Sequence, residues 1–203
     1  MQQLVLVRHA LAGSNRDRTA SCASPGKGLT TEGVEQARRL RVALENDEIA
    51  LGVATELRRT QETLELALDG REVPSIVAPE LNEIDFGSFD SGPLDAYRSW
   101  AAARLPSEPA PGGGESRAAA AGRFSRGLRV LLARPEETVL LVTHALSIRY
   151  VLDGAAGLEP AARMASVEHA VPYRLAADEV HAAALLLEEW SRAPRFRDPS
   201  KEG

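Results

Sequence analysis

Two short apolar segments that each end in a histidine constrain this chain more than any other feature. Leu4–Arg8 precedes His9, and Thr138–Thr143 precedes His144. Each segment is rich in valine and leucine and short, so each is predicted to be a buried β-strand. The carboxyl ends of neighbouring parallel strands lie at the same edge of a sheet. The two histidines are therefore expected to face one cavity, although 135 positions separate them.

The rest of the chain alternates between strand and helix patterns. Helices are predicted from Thr31 onward with Thr30 or Thr31 as the cap, and at 58–68, 97–104, 115–133 and 145–152. Further strands are predicted at 49–54, 73–77, 170–175 and 180–188. This alternation predicts an α/β fold, a three-layer α/β/α sandwich with a mostly parallel central sheet.

The domain organisation follows from length and from proline and glycine content. With 203 residues and no clear linker, the chain is expected to form one domain, 1–203. Residues 91–114 are rich in proline and glycine and are expected to form a small excursion over the active site, a lid that selects substrates. Tyr97, Trp100 and Leu105 are its expected apolar wall. Residues 191–203 are expected to be a loose tail.

Composition excludes several classes of partner. The chain is 44% hydrophobic and 26% charged, as globular proteins are. Its net charge of −5 provides no basic footprint for nucleic acid or for a membrane surface. It also looks unsuited to binding a small anion, although net charge does not describe a local pocket. A single cysteine, no basic leader and no apolar run of about 20 residues predict a cytoplasmic location. The sequence does not predict an oligomeric state.

Six motif blocks occur in order between residue 4 and about residue 150. They are Arg8-His9-Ala10 with Asn15; Leu29-Thr30, Gly33 and Gln36-Ala37; Thr55-x-Leu57-x-Arg59-Thr60-x-Glu62-Thr63; Leu81-x-Glu83-x-x-Phe86-Gly87; Gly113-Gly114-Glu115-Ser116; and Val142-Thr143-His144-Ala145. In this order they resemble the histidine phosphatase (phosphoglycerate mutase-like) superfamily, and its phosphatase branch in particular. The match to the third block assigns the second arginine to Arg59, with Arg58 in a variable position.

The resemblance implies a phosphomonoester hydrolase for a small phosphorylated substrate. His9 is the implied nucleophile, which attacks phosphorus through a neutral imidazole nitrogen and forms a phosphohistidine. Glu83 is the implied acid, which protonates the leaving alcohol and later takes a proton from water. We expect the incoming phosphate dianion, rather than burial, to raise the pKa of Glu83. Neither a metal nor a cofactor is required.

Phosphoryl transfer also needs donors around the transferred group. Arg8 and Arg59 are the implied guanidinium ligands, and His144 adds a third cation if it is charged. Asn15 is expected to donate a hydrogen bond from the loop after the first strand. Backbone N–H groups that follow the strand at 138–143, beginning at Ala145, are expected to help to hold the anion.

The motifs leave two other functions open. One is mutase-type phosphoryl transfer, which in this family uses paired basic residues in a longer excursion, where this chain has only Arg98 and Arg104. The other is a phospho-ligand binding module of the same fold without turnover. Ala10 and Ala145, where the family usually has glycine, favour the latter if the backbone there needs positive φ. His169 is a further candidate for contact with substrate, although a structural or surface role is the favoured interpretation.

Overall fold

The two apolar segments pair as neighbouring parallel strands in the computed structural model, which describes residues 1–197. Leu4 lies opposite Val139, and Arg8 lies opposite Thr143. The backbone N–H of His9 continues the ladder and donates to the carbonyl of Thr143 (2.9 Å). Both strands therefore deliver their histidines to the same edge of the sheet.

The strands and longer helices follow the predicted order as far as the last strand, and the element after it is a helix. The strands are β1 (Gln3–Arg8), β2 (Leu51–Ala54), β3 (Ser75–Val77), β4 (Thr138–Thr143) and β5 (Pro172–Ala176). The helices are α1 (Gly13–Arg16), α2 (Thr31–Ala43), α3 (Arg58–Ala67), α4 (Leu94–Ala102), α5 (Arg117–Leu132), α6 (Ala145–Ala155) and α7 (Ala177–Arg192), with 3₁₀ turns at Pro79–Leu81 and Gly87–Phe89. Within residues 1–197, no helix combines the length and apolar character that crossing a bilayer requires.

The sheet has the order β3-β2-β4-β1-β5, and only the edge strand β5 runs antiparallel to its neighbour. Along β1, Leu4 and Leu6 pack into the core beneath α5, α6 and α7, whereas Val5 and Val7 pack against α2 and α3. Burial on both faces explains why these strands are continuously apolar. The predicted α/β fold with a mostly parallel sheet between helical layers is confirmed.

The predicted strand at 180–188 is wrong, because this segment lies within α7. Its buried residues include Val180, Ala183, Ala184 and Leu187, which have the i, i+3, i+4, i+7 spacing of a helix face. Alanine, leucine and glutamate also favour helix. The apolar run obscured this period, because it continues through the residues between the buried positions.

The structure also differs from the expected loose tail for residues 191–197. The indole N–H of Trp190 donates to the carbonyl of Arg195 (2.6 Å), and the Phe196 ring lies 6.0 Å from the Trp190 ring. Arg197 forms a β-bridge with Ala161. Aromatic packing therefore secures this part of the tail, while 198–203 lies outside the described residues.

The excursion at 91–114 is attached to the loop that follows β1. Ala20 donates its N–H to the carbonyl of Gly92 and accepts from the N–H of Ser91, both at 2.9 Å. The helix α4 begins after Pro93, three residues earlier than predicted. Its Tyr97 packs edge-on against Phe86, with 4.6 Å between the ring centroids. The excursion is thus packed beside the carboxyl edge of the sheet.

The start of α2 positions the loop that carries the first histidine. A Cβ on Gly33 would lie 2.1 Å from the carbonyl oxygen of Leu11, which also accepts from Thr30. We expect Gly33→Ala to reduce the free energy of unfolding by about 1–3 kcal/mol, because overpacking against backbone outweighs alanine's helix propensity. Urea unfolding measures the change.

The matched control for this prediction is Gly122→Ala in α5. The nearest atoms to a Cβ there belong to two movable side chains, Ser191 with its Oγ at 3.2 Å and Arg126 with its Nη1 at 3.8 Å. This variant should be neutral or more stable by up to about 1 kcal/mol, the propensity difference between glycine and alanine. Equal stability of Gly33→Ala and the wild type would contradict the packing argument.

Candidate active site

His9 is buried at the end of β1 and is held in one tautomer. Its Nδ1 lies 2.8 Å from the carbonyl oxygen of Ala10. Because a carbonyl only accepts, Nδ1 carries the proton and Nε2 keeps its lone pair. The Nε–H of Arg59 donates to that Nε2 (3.1 Å). His9 therefore presents an unprotonated nitrogen to the cation beside it.

His144 caps the start of α6 and has the opposite tautomer. Its Nδ1 lies 3.3 Å from Nη2 of Arg59, which can only donate. Its Nε2 therefore carries the proton and donates to Oγ1 of Thr55 (3.0 Å). The rings of His9 and His144 lie 5.3 Å apart. The expected meeting of the two strand-end histidines is thus present in the structure.

Burial lowers the pKa of both histidines well below the ordinary value, and the Arg59 cation acts in the same direction. For His9 this agrees with the neutral imidazole expected of a nucleophile. For His144 the lowered pKa favours the neutral imidazole in the free protein, so the condition under which it would add a third cation is not favoured there.

Arg59, rather than Arg58, reaches the site from α3. Arg58 is exposed and pairs with Glu62 (2.6 Å), whereas Arg59 is only 2% exposed. Besides the two imidazoles, Arg59 donates through Nη2 to the carbonyl of Ser21 (2.9 Å). Its Nη1 is buried and has no hydrogen-bond partner within residues 1–197. That N–H group is suited to an anionic oxygen.

Arg8 brings a second guanidinium group to the same place. Its Nη1 donates to the carbonyl of Val167 (2.6 Å), while its buried Nε has no hydrogen-bond partner among the described residues. Burial lowers the pKa of Arg8 to about 10, which still leaves it charged at neutral pH. Two cations, the buried Arg59 and the half-buried Arg8, thus each bring a buried, unused donor close to His9.

Glu83 is the carboxyl group of this cluster. Its side chain is 15% exposed, and its Oε2 lies 3.9 Å from Nδ1 of His144. Burial raises the pKa of Glu83, although Arg59 and Arg8 oppose the shift. Burial thus already raises this pKa in the free protein, whereas the sequence led us to expect the shift from phosphate alone. A carboxyl group that retains its proton is suited to act as an acid.

An arginine that the sequence reasoning missed holds the loop that carries this acid. Arg123 of α5 donates to the carbonyls of Glu80 and Asn82, both at 2.9 Å, and of Glu83 (3.3 Å). Glu115 pairs with the same guanidinium group at 2.6 Å. Glu115 lies in the fifth motif block, but the sequence gives no indication that its partner binds the backbone of a distant loop.

Asn15 and Ala145 also reach the cavity. The Oδ1 of Asn15 accepts from the N–H of Ala12 (3.2 Å), which leaves its NH₂ as the donor edge. Ala145 is the first residue of α6, whose amino-terminal N–H groups favour a negative charge. Neither Ala10 nor Ala145 has positive φ, so neither alanine strains the backbone.

Most of these groups line a cavity of about 90 Å³, but His144 is fully buried and is not among the lining residues. Six of the expected site residues line it: Arg8, His9, Asn15, Arg59, Glu83 and Ala145. Of the expected apolar wall, Tyr97 lines the cavity, Trp100 packs behind Tyr97, and Leu105 is 72% exposed. The arrangement places a nucleophilic nitrogen, four arginines (Arg8, Arg59, Arg98 and Arg117) and a protonatable carboxyl group around a space that suits a phosphoryl group.

His169 contacts the backbone of His9 and does not line the cavity. Its Nδ1 donates to the carbonyl oxygen of His9 (2.7 Å), and it is not among the lining residues. Burial, together with Arg8, lowers the pKa of His169 to about 4. Within residues 1–197, no three His, Cys, Asp or Glu side chains are grouped so that they could hold a metal ion.

The chain belongs to the histidine phosphatase superfamily, branch 1, whose sequence model matches residues 4–187. It is 38% identical over 88 residues to the adenosylcobalamin/alpha-ribazole phosphatase of Escherichia coli K12, a match that covers 43% of each chain. The chain thus spans less than half the length of this relative.

Two further similarities extend over more of the chain. A protein of Proteus mirabilis described as a probable phosphoglycerate mutase, GpmB, is 29% identical over 166 residues, which are 78% of this chain and 76% of the relative. The crystal structure of the alpha-ribazole phosphatase from Shigella flexneri superposes with a TM-score of 0.72 at 27% identity. That superposition covers 85% of this chain and 89% of the other.

The histidine tautomers are directly testable. In long-range ¹H–¹⁵N correlation spectra of the folded protein, we expect the proton of His9 on Nδ1 and that of His144 on Nε2. Both should stay neutral at about pH 6, close to the ordinary histidine pKa of about 6.5, because burial beside Arg59 disfavours the charged form. The protein unfolded in urea is the reference.

An imidazolium pattern for either residue in the folded protein at that pH would contradict the assignment. So would a His9 protonated on Nε2, because its lone pair would then face the carbonyl of Ala10.

Proposed function

We propose that the protein is a phosphomonoester hydrolase that acts through a phosphohistidine on His9, with Glu83 as acid and base. The observation that carries this proposal is the tautomer of His9. Its proton is held by the carbonyl of Ala10, so Nε2 is unprotonated beside Arg59 in the lined cavity. The relatives named as phosphatases support the same activity.

In the first step, Nε2 of His9 forms a bond to phosphorus while the bond from phosphorus to the ester oxygen breaks. Arg59 releases its hydrogen bond to Nε2 and, with Arg8, donates to the phosphoryl oxygens. Glu83 gives its proton to the departing oxygen, so an alcohol leaves rather than an alkoxide. Ala10 stabilises the positive charge of the phosphorylated ring through Nδ1–H.

In the second step, water attacks phosphorus in line and the bond to Nε2 breaks. Glu83, now ionised, takes the proton of the attacking water and returns to its acid form. His9 is restored as the neutral imidazole, and inorganic phosphate leaves. No residue needs to change its tautomer between turnovers.

A mutase-type function differs from the hydrolase only in the group that accepts the phosphoryl group from His9 in the second step. The relative described as a probable phosphoglycerate mutase favours it. In that case the phosphohistidine persists in water and transfers to a hydroxyl group of the bound organic molecule. Rapid loss of the phosphoryl group to water, without any added alcohol, distinguishes the hydrolase from the mutase.

The substrate is proposed to be a small phosphorylated molecule, and the names of the relatives make an alpha-ribazole phosphate one candidate. The proposed reaction uses no metal ion. The alternative of a binding module without turnover loses one of the observations that favoured it, because Ala10 and Ala145 have ordinary backbone angles.

Hydrolysis of 4-nitrophenyl phosphate in excess chelator tests the proposal. We expect turnover by the wild type and a loss on the order of a thousandfold or more in His9→Ala, because the nucleophile is removed. His181→Ala is the matched control, since His181 is exposed on α7. Equal rates for His9→Ala and the wild type would contradict the nucleophile, and a requirement for added metal would contradict the mechanism.

Glu83→Gln tests the acid. We expect kcat/KM to fall about a thousandfold for phenyl phosphate but only about tenfold for 4-nitrophenyl phosphate, whose leaving group needs less protonation. The raised pKa means that the active, protonated form is lost as pH rises. Wild-type kcat/KM for phenyl phosphate should therefore fall through that pKa, and Glu83→Gln should lack this fall. An equal loss for both esters would contradict the assignment.

A further inference from the structure

A second, larger cavity, named the outer cavity, adjoins the one that contains His9, named the inner cavity. It has a volume of about 470 Å³, compared with about 90 Å³ for the inner cavity. The two cavities share five lining residues, which are Arg8, Arg98, Arg117, Ala145 and Met164. The inner cavity has room for little more than a phosphoryl group. On the proposed function, the leaving group of a substrate extends into the outer cavity.

The outer cavity is lined by four arginines and by no aspartate or glutamate of residues 1–197. Arg8 belongs to the phosphoryl site. The other three are Arg98 on α4, Arg117 at the start of α5 and Arg163 in the segment between α6 and β5. Three separate parts of the chain thus bring guanidinium groups to one space, in a protein whose net charge is −5.

Arg117 is the unusual member of this group. It is only 7% exposed, and its Nε donates to the hydroxyl of Tyr150 (2.7 Å) and its Nη2 to the carbonyl of Ala161 (3.4 Å). No carboxylate of the described residues pairs with it. The guanidinium group also lies over the rings of Tyr150 and Phe196, at 5.5 and 5.6 Å from their centroids. These neutral partners leave its positive charge uncancelled, so an anion in the adjoining cavity is attracted to it.

The other two arginines lie nearer to solvent. Arg98 pairs with Asp95 at 3.4 Å, but both side chains are more than half exposed, and exposed pairs are easily exchanged. Arg163 is exposed and makes no ion pair within residues 1–197. Both can therefore turn to a ligand in the cavity without breaking a strong contact.

We propose that Arg117, Arg98 and Arg163 form a subsite for a second anionic group, a carboxylate or a phosphate, on the leaving group of the substrate. The guanidinium fork matches the paired oxygens of either anion. Leu94, Tyr97 and Met164 lie along the inner cavity and favour an apolar spacer between the two anions. The substrate class is thus a phosphomonoester with a distal acidic group.

Three aryl phosphates test the subsite. They are 4-(carboxymethyl)phenyl phosphate, its neutral carboxamide counterpart, and 4-(phosphonomethyl)phenyl phosphate. We expect the wild type to prefer the carboxylate over the carboxamide by about tenfold or more in kcat/KM, the effect of one charge-assisted hydrogen bond. The kcat/KM of the carboxylate ester and that of the phosphonate ester are each compared with that of the carboxamide ester. The anion with the larger ratio is the better match to the natural substrate.

Arg163→Gln and Arg117→Gln should each reduce the preference for the acidic ester by about fivefold or more. Arg163→Gln keeps the test valid if the buried Arg117 variant does not fold. Arg126→Gln is the matched control, because Arg126 is exposed on the same helix as Arg117 and lies outside both cavities. It should leave the preference unchanged.

Equal kcat/KM for the acidic and neutral esters would overturn the subsite while leaving the proposed hydrolase intact. Absence of turnover for every ester would instead contradict the proposed hydrolase. The subsite is then judged by calorimetry with His9→Ala: tighter binding of the carboxylate than of the carboxamide supports it, and equal Kd values overturn it.

Discussion

One buried guanidinium group, that of Arg59, is the interaction on which the rest of the site depends. It donates to Nε2 of His9 and to Nδ1 of His144, so each imidazole presents a lone pair to the same cation. Those lone pairs exist because Ala10 and Thr55 hold the protons on the opposite nitrogens. Burial and the cation together keep both rings neutral. A nucleophile and an anion site are thereby built from the same contacts.

A residue of this site could be predicted where its role follows from the sequence around it, and could not where its role depends on contacts with distant parts of the chain. The histidines follow buried strands whose apolar pattern is unambiguous, and the motif spacing distinguished Arg59 from its neighbour. By contrast, Arg123 acts on backbone carbonyls some 40 positions away in sequence, as its separation from Glu83 shows. Such a contact depends on tertiary packing and leaves no local pattern. The strand predicted at 180–188 was wrong because the local pattern was ambiguous. A continuous apolar run fits the two-residue period of a strand as well as the 3.6-residue period of a helix.

Net charge and local charge have separate consequences in this protein. The chain carries −5 overall, yet its two connected cavities are lined by Arg8, Arg59, Arg98, Arg117 and Arg163, with Glu83 as the only carboxylate from the described residues. Burial strengthens the charges of Arg59 and Arg117, because water screens these two less than it screens the exposed acids. The acidic surface therefore does not prevent anion binding. Glu83 remains compatible with the cations because burial favours its protonated form.

The central claim is that Nε2 of His9 is the atom that receives the phosphoryl group. The most direct measurement is rapid quenching during turnover, followed by ³¹P NMR at alkaline pH and mass spectrometry of the digested protein. The account predicts one acid-labile phosphoryl group, on Nε2 of His9. A phosphoryl group on His144, on Nδ1 of His9 or on a serine, or turnover with no phosphorylated protein at all, would contradict it.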